Sequence, residues 1–356
     1  MTIPVSAEGR RLVTPVIQRH KLLLVCGVGL LLRLLLLGSK GLWLDEVRSI
    51  QVTGAGFDAW LSGRVEAYHP PLYYILLMPW LRIAHSEFFL RLPSAVLGAL
   101  TIPLTYALTR RLWEERTALI SAWLVALSPL LVWYSQELRS YSLLVLLSVV
   151  SLLLLTWLLE SPSYWLGGLN ALVIAAGLYL HYDAFLVLPL QLLLFVGLAA
   201  SSRVNAKAAW LLVWVWTVAL AGYLPWMRAP AMKRFAHMLV GNRLYFRSLL
   251  AGVVDLPDEL IFPLAVAGSL TILILLLVAV WALIRRHGKL LHDLRSRPAA
   301  QVLSVLGYLS LLVVSVVPRG YMIKRHVLIG WVPLLIGFAW LWSKSFPSRL
   351  WWWGLC

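Results

Sequence analysis

The feature that most narrows the choice of fold is a succession of ten apolar runs, each 16 to 25 residues long and parted by short polar breaks: 22–37, 92–109, 117–134, 142–159, 165–180, 184–201, 209–226, 260–284, 300–317 and 327–343. About 20 apolar residues match the hydrocarbon thickness of a bilayer, where backbone groups must bond to one another, so each run reads as a transmembrane helix. Composition agrees: 61% of the 356 residues are apolar and 13% charged, against about 45–50% and about 25% in soluble domains. An ordinary soluble globule is excluded. The 19 Trp and 13 Tyr suit aromatic belts at the two interfaces. The fold class is therefore an all-α polytopic membrane protein, one integral domain over 1–356 with no separate soluble domain.

Topology follows from length and charge. Arg10, Arg11, Arg19 and Lys21 precede the first run and Gly38-Ser39-Lys40 follows it without a small-residue cleavage pattern, which reads as an uncleaved signal anchor. Segment 70–83 is apolar, but it opens on two prolines, carries Pro79 and Arg82, and has only 14 residues. It reads as an interfacial or re-entrant helix rather than a span. With that choice the cytoplasmic pieces hold 16 Lys/Arg in 59 residues and the outer pieces 14 in 106. Basic density is then about twofold higher inside, as the positive-inside rule requires. Both termini are cytoplasmic, 38–91 is a large first outer loop, and 227–259 is a second. The net charge of +16 reads as this bias, so no nucleic-acid partner is expected. Cys26 and Cys356 offer neither a disulfide framework nor a CxxC metal site.

Ten of the 15 acidic residues fall on the outer side, several hard against a span end, where charge tends to be paired or functional. The first outer loop begins LWLDEVRSI, with Asp45 and Glu46 adjacent. Neighbouring helical residues point about 100° apart, so one carboxylate would do chemistry while the other orients or holds a cation. In AYHPPLYYILLMPW, proline at the first helical turn places Tyr68 and His69 at a helix N-terminus, which favours an anion. SQELRSY (Arg139, Tyr141), LHYDAF (His181, Tyr182) and YMIKRHVL (Lys324, Arg325, His326) lie on the same side. Any one could be a helix cap or an interfacial belt; together they suggest a site. Arg33, the clearest charge inside a run, lies near its outer third and is expected to snorkel.

The succession LDE, HPPLYY, RLPSAVLGALTIPLTYALTRRLW, ALSPLLVWYSQELRSYSLL, LHYDAF, YLPWM and KRHVLIGWVPLL resembles the GT-C membrane glycosyltransferases. It is most similar to bacterial and archaeal relatives of protein O-mannosyltransferase and lipid A aminoarabinose transferase. The resemblance implies a GT-C helical bundle with juxtamembrane helices in the first outer loop. It also implies a polyprenyl-phosphate sugar donor, a glycan, lipid or protein hydroxyl as acceptor, and transfer on the outer face of a prokaryotic plasma membrane. By position it makes Asp45 the catalytic carboxylate with Glu46 its neighbour, and His69, Arg139 and Arg325 the donor-phosphate set. Tyr68, Tyr141, His181, Tyr182, Lys324 and His326 become pocket candidates. One departure is Arg325-His326 where relatives carry Arg-Tyr.

The chemistry is coherent from below. Transfer from a lipid phosphate needs a base for the acceptor hydroxyl, cationic partners for the leaving phosphate and a dry pocket. Attack opposite the phosphate inverts the anomeric centre. No metal is required, although Asp45 and Glu46 beside phosphate admit a divalent cation. A reserve phosphate site is the basic stretch Arg228, Lys233, Arg234, Arg243 and Arg247. The competing readings are a transporter or lipid flippase, for which inverted repeats and mid-membrane charges are the signs, and a non-catalytic partner of a transferase.

Overall fold

The computed structural model describes residues 7–62, 69–201, 206–229 and 328–345, and among them every regular element is helical. Among the described residues three helices are long and apolar enough to cross a membrane: α5 (Glu87–Leu112), α8 (Tyr141–Glu160) and Lys207–Met227 of α11 (Ala206–Met227). The pair α6 (Glu115–Leu127) and α7 (Pro129–Ser135) makes a fourth if its 54° bend is counted within one span. Runs 22–37, 165–180, 184–201 and 327–343 fall on α1 (Ala7–Leu34), α9 (Tyr164–Leu180), a 3-10 turn (Tyr182–Leu186) leading into α10 (Val187–Ser201), and α12 (Leu328–Ser345). The expected spans 260–284 and 300–317, and the basic stretch 285–297 between them, lie outside the described residues.

Helix α8 sits at the centre. It is buried along 72% of its apolar stretch, against 44% for α5 and 33% for α11. A helix apolar all round belongs either in a core or in lipid. Buried polar groups add direction to this packing. Ser151 Oγ donates to Asn170 Oδ1 (2.8 Å), Gln191 Nε2 to Ser151 Oγ (2.7 Å), and Trp216 Nε1 to Gln191 Oε1 (2.8 Å). One network thus joins α8, α9, α10 and α11.

Run 117–134, read as one continuous span, is broken at Ser128-Pro129. Proline lacks an N–H and pushes the preceding residue out of the helical region, and Ser128 is extended at φ −60°, ψ 116°. Its hydroxyl accepts from Leu131 N–H (3.4 Å) and from Trp331 Nε1–H of α12 (3.0 Å). The break strands the last carbonyls of α6, and a buried carbonyl needs a donor. Arg33 supplies it, giving hydrogen bonds to Val125 O and Ala126 O (3.1 Å each) and to Gly29 O (2.9 Å). Arg33 is 0% exposed, so the expected snorkelling is corrected: the guanidinium turns inward because the broken helix offers it acceptors. Gln136, just past α7, in turn gives Nε2–H to Leu32 O (3.2 Å), Arg33 O (3.2 Å) and Leu35 O (2.8 Å) at the end of α1.

Close approach at this junction depends on Gly98 of α5. A Cβ there would meet Ser135 Oγ at 2.1 Å, Ser135 Cβ at 2.8 Å and Arg33 Nε at 3.2 Å. Gly98→Ala should therefore destabilise the protein by the about 1–3 kcal/mol typical of overpacking, read as a lower thermal midpoint in detergent. A midpoint equal to wild type would mean that α7 yields without cost.

Three short helices fill the stretch between α1 and α5: α2 (Leu44–Gly54), α3 (Phe57–Leu61) and α4 (Leu72–Leu81). At 10 residues α4 is roughly 15 Å long, half a hydrocarbon core. That is shorter than the about 20 residues a straight span takes. Trp80 Nε1 donates to Phe89 O (2.8 Å), fastening the end of α4 to the first turn of α5. The junctions after α1, before α4, before α8 and before the 3-10 turn carry the candidate residues.

Candidate active site

Asp45 and Glu46 open α2, and the structure gives them different surroundings. Glu46 is 0% exposed. Its Oε1 accepts from Arg91 Nε (2.8 Å) and from the Leu138 backbone N–H (2.7 Å); its Oε2 accepts from Arg91 Nη2 (2.7 Å) and the Trp43 backbone N–H (3.1 Å). An ionised carboxylate has about four acceptor positions, and here four donors fill them. The bond back to Trp43 is half of a capping box, Glu46 being the third residue of the helix. Arg91 also reaches Leu37 O (3.0 Å), Lys40 O (2.8 Å) and Gly41 O (3.0 Å), so one guanidinium gathers the whole connector after α1. Burial pushes the Glu46 carboxyl up, but the bonds from Arg91, Leu138 and Trp43 outweigh it and hold the group below its ordinary value. Asp45, the neighbour, is half-buried.

Arg139 lies one residue beyond the Leu138 amide that Glu46 holds, and it is 6% exposed. Its Nη1 donates to Ser49 Oγ (2.9 Å) and Asp45 O (3.2 Å), and its Nη2 stands 3.1 Å from His69 Nε2. Arginine only donates, so His69 Nε2 accepts and a neutral His69 carries its proton on Nδ1. The guanidinium also covers the Tyr141 ring, 5.6 Å from its centroid. Its Nε–H finds no acceptor among the described residues. Asp45 acts electrostatically on both Arg139 and Tyr74 of α4. Burial keeps the Tyr74 phenol above its ordinary value, against the opposing effect of Arg139, so it stays a hydrogen-bond donor at neutral pH.

His69 stacks on His181, with ring centroids 4.6 Å apart and planes 27° from parallel, and its ring lies 6.5 Å from that of Tyr182. His181 is 3% exposed. Its Nδ1 accepts from the Asp183 backbone N–H (3.1 Å), which leaves the proton of the neutral ring on Nε2. Tyr141 closes the cluster 5.8 Å from the His181 ring.

The structure thus brings Asp45, His69, Arg139, Tyr141, His181 and Tyr182 together from four separate stretches of sequence. Glu46 adjoins them but is fully engaged with Arg91. Tyr68, Lys324, Arg325 and His326 lie outside the described residues, as do Lys233, Arg234, Arg243 and Arg247 of the reserve stretch. Sequence reasoning passed over Arg91, Ser49 and Tyr74. Arg91 did carry a signal, being the lone cation at the head of an apolar run; Ser49 and Tyr74 carried none. Among the described residues no group of three or more His, Cys, Asp or Glu is gathered as metal ligands. Because donors fill the acceptor positions of Glu46, Asp45 alone of the pair is left for a cation.

Residues 68–227 match the model of the dolichyl-phosphate-mannose-protein mannosyltransferase family. No curated protein gives a significant match. Among solved structures, the oligosaccharyltransferase of Archaeoglobus fulgidus tethered to an acceptor peptide shares the fold with a TM-score of 0.57 at 14% identity, over 94% of this chain and 51% of that one. The same archaeal enzyme, AglB, with an inhibitory peptide and a dolichol-phosphate gives 0.55 at 12% identity, over 92% and 50%. Its complex with zinc and sulfate gives 0.55 at 13% identity, over 91% and 49%. The chain spans about half the length of these structures.

Proposed function

We propose that this chain, a GT-C superfamily protein by its family match and fold, moves a sugar from a polyprenyl-phosphate carrier to a hydroxyl acceptor on the outer membrane face. The observation that carries the reading is Arg139. A buried guanidinium is held between the Asp45 turn and His69 with its Nε–H unused among the described residues. Charge-assisted bonds from such a group are the strong kind and suit a phosphate. The base would stand on the other side: Asp45 takes the proton of the acceptor hydroxyl as its oxygen attacks the anomeric carbon, and the bond to the phosphate oxygen breaks. Phosphate leaves as an anion without protonation, and attack from the face opposite it inverts the centre.

Roles divide accordingly. Arg139, with His69, binds and stabilises the phosphate; Tyr74 and Tyr141 stand as hydroxyl donors beside it; Glu46 with Arg91 orients the turn that carries Asp45. The neighbour bound to dolichol-phosphate supports a lipid phosphate as ligand, and the family description supports a hexose as cargo. Incubating purified protein and cell-envelope fractions with a radiolabelled polyprenyl-phosphate hexose tests the reading. Label should appear in an envelope product that survives mild acid, which cleaves the sugar–phosphate bond of the donor, and its absence with every hexose tried would remove the transferase assignment.

A second expected result separates phosphate binding from fold. Arg139→Ala should weaken binding of sugar-free polyprenyl phosphate about tenfold or more, the worth of one charge-assisted bond. His69→Ala should weaken it less. Unchanged binding in both, measured by fluorescence quenching in nanodiscs, would move the phosphate elsewhere.

A further inference from the structure

Next to Tyr182, α11 brings in an aromatic pair, Tyr223 and Trp226, one helical turn apart and 1% and 4% exposed. The Tyr223 ring meets Tyr179 edge-on at 5.3 Å and Phe185 edge-on at 5.6 Å, which fixes its plane. Its hydroxyl has no hydrogen-bond partner among the described residues, although it is close enough to the Tyr182 phenol for the two to interact. A buried hydroxyl left unmatched costs about 1–3 kcal/mol. Phe185 beside it shows that a plain benzyl ring suits this packing. Tyr179, by contrast, has its hydroxyl matched, donating to Gly222 O (3.0 Å).

We infer that Tyr223, with Tyr182, recognises the sugar of the donor: the buried Tyr223 hydroxyl, unmatched among the described residues, bonds a sugar hydroxyl. This rests on the transferase reading above. A sugar is joined directly to its phosphate, so a phosphate at Arg139 and His69 puts the pyranose beside that pair. Tyr182 lies there too, its ring 6.5 Å from that of His69, and Tyr223 is its neighbour. A few fixed polar groups in an otherwise apolar pocket orient a ligand and set its specificity. The residues are specificity determinants, since they touch neither the attacking oxygen nor the leaving one.

The test compares two lipids on each protein: polyprenyl phosphate, and the same lipid carrying mannose, glucose or galactose. Wild type should prefer at least one sugar-bearing form. Tyr223→Phe should lose about three- to tenfold of that preference, the worth of one buried hydrogen bond, while its affinity for the sugar-free lipid stays at the wild-type value. Tyr182→Phe should lose it in the same direction, and Tyr179→Phe should not. The conservative changes keep every ring, and an unchanged affinity for the sugar-free lipid certifies the fold of each variant. A preference kept intact in Tyr223→Phe, or wild type preferring no sugar-bearing lipid, overturns the inference. Failure of wild type to bind polyprenyl phosphate at all overturns the transferase reading instead. If the preference survives in binding but the acceptor KM rises, the Tyr223 hydroxyl serves the acceptor and the inference is again overturned.

Discussion

Asp45→Asn is expected to lower transfer about 10²- to 10⁴-fold, the contribution of a general base, while binding of the donor and yield of folded protein stay near wild type. The substitution keeps the shape of the side chain and removes its basicity. It leaves intact the Asp45 carbonyl that receives Arg139 Nη1–H (3.2 Å) and Ser49 Oγ–H (2.9 Å), because both bonds end on the backbone. Turnover is to be measured with saturating donor, where the loss should fall on kcat. Near-wild-type kcat in Asp45→Asn would remove the base from this position.

Glu46 and Arg91 should behave in the opposite way, failing in stability before chemistry. Glu46→Ala leaves a guanidinium that is 5% exposed without its counter-ion, and removal of one partner of a buried pair costs about 3–5 kcal/mol. Arg91→Ala strands both Glu46 and the carbonyls of Leu37, Lys40 and Gly41 and should cost at least as much. Glu46→Gln keeps the acceptor oxygen for Leu138 or Arg91 and should lie between. The same pair sets an acid limit. The folded Glu46 carboxyl is held below its ordinary value of 4.5, so its stabilisation is complete above that pH and is lost as pH falls through the folded value. Thermal midpoints of wild type and Glu46→Gln between pH 7 and 3 check this. The gap between them should close at the acid end, and a gap independent of pH would show that the carboxylate charge is irrelevant.

The helical architecture was legible because bilayer thickness imposes a length on every apolar run, and α5, α8 and α11 keep to it. The candidate site was legible in its scattered polar motifs, since polar groups beside a span end stand out against an apolar background. His69, Arg139 and His181 were singled out that way, and they lie together in the structure. What stayed hidden depends on contacts between distant stretches. Nothing in DE says which carboxylate turns inward; that is decided by Arg91, 45 residues on. Nor does LLRLLLL say that Arg33 faces the bundle, since the carbonyls it serves, 92 and 93 residues later, are free only because Ser128-Pro129 breaks their helix. The break itself was readable from Ser-Pro, but the apolar count across 117–134 outweighed it.

That last pairing has a consequence for the order in which the protein is made. Chains emerge from the N-terminus first, so α1 is made while Val125 and Ala126 are still unsynthesised, and Arg33 has no acceptor beyond its own helix. Arg33 stands in the last turn of α1, where a long side chain can stretch past the helix end toward water in the meantime. Only when α6 and α7 arrive can Arg33 withdraw and α1 settle against them. Arg33 is thus expected to point one way before α6 is made and another way after it. Chains truncated before Ser128 should leave α1 loosely held, open to early degradation and to extraction by mild detergent.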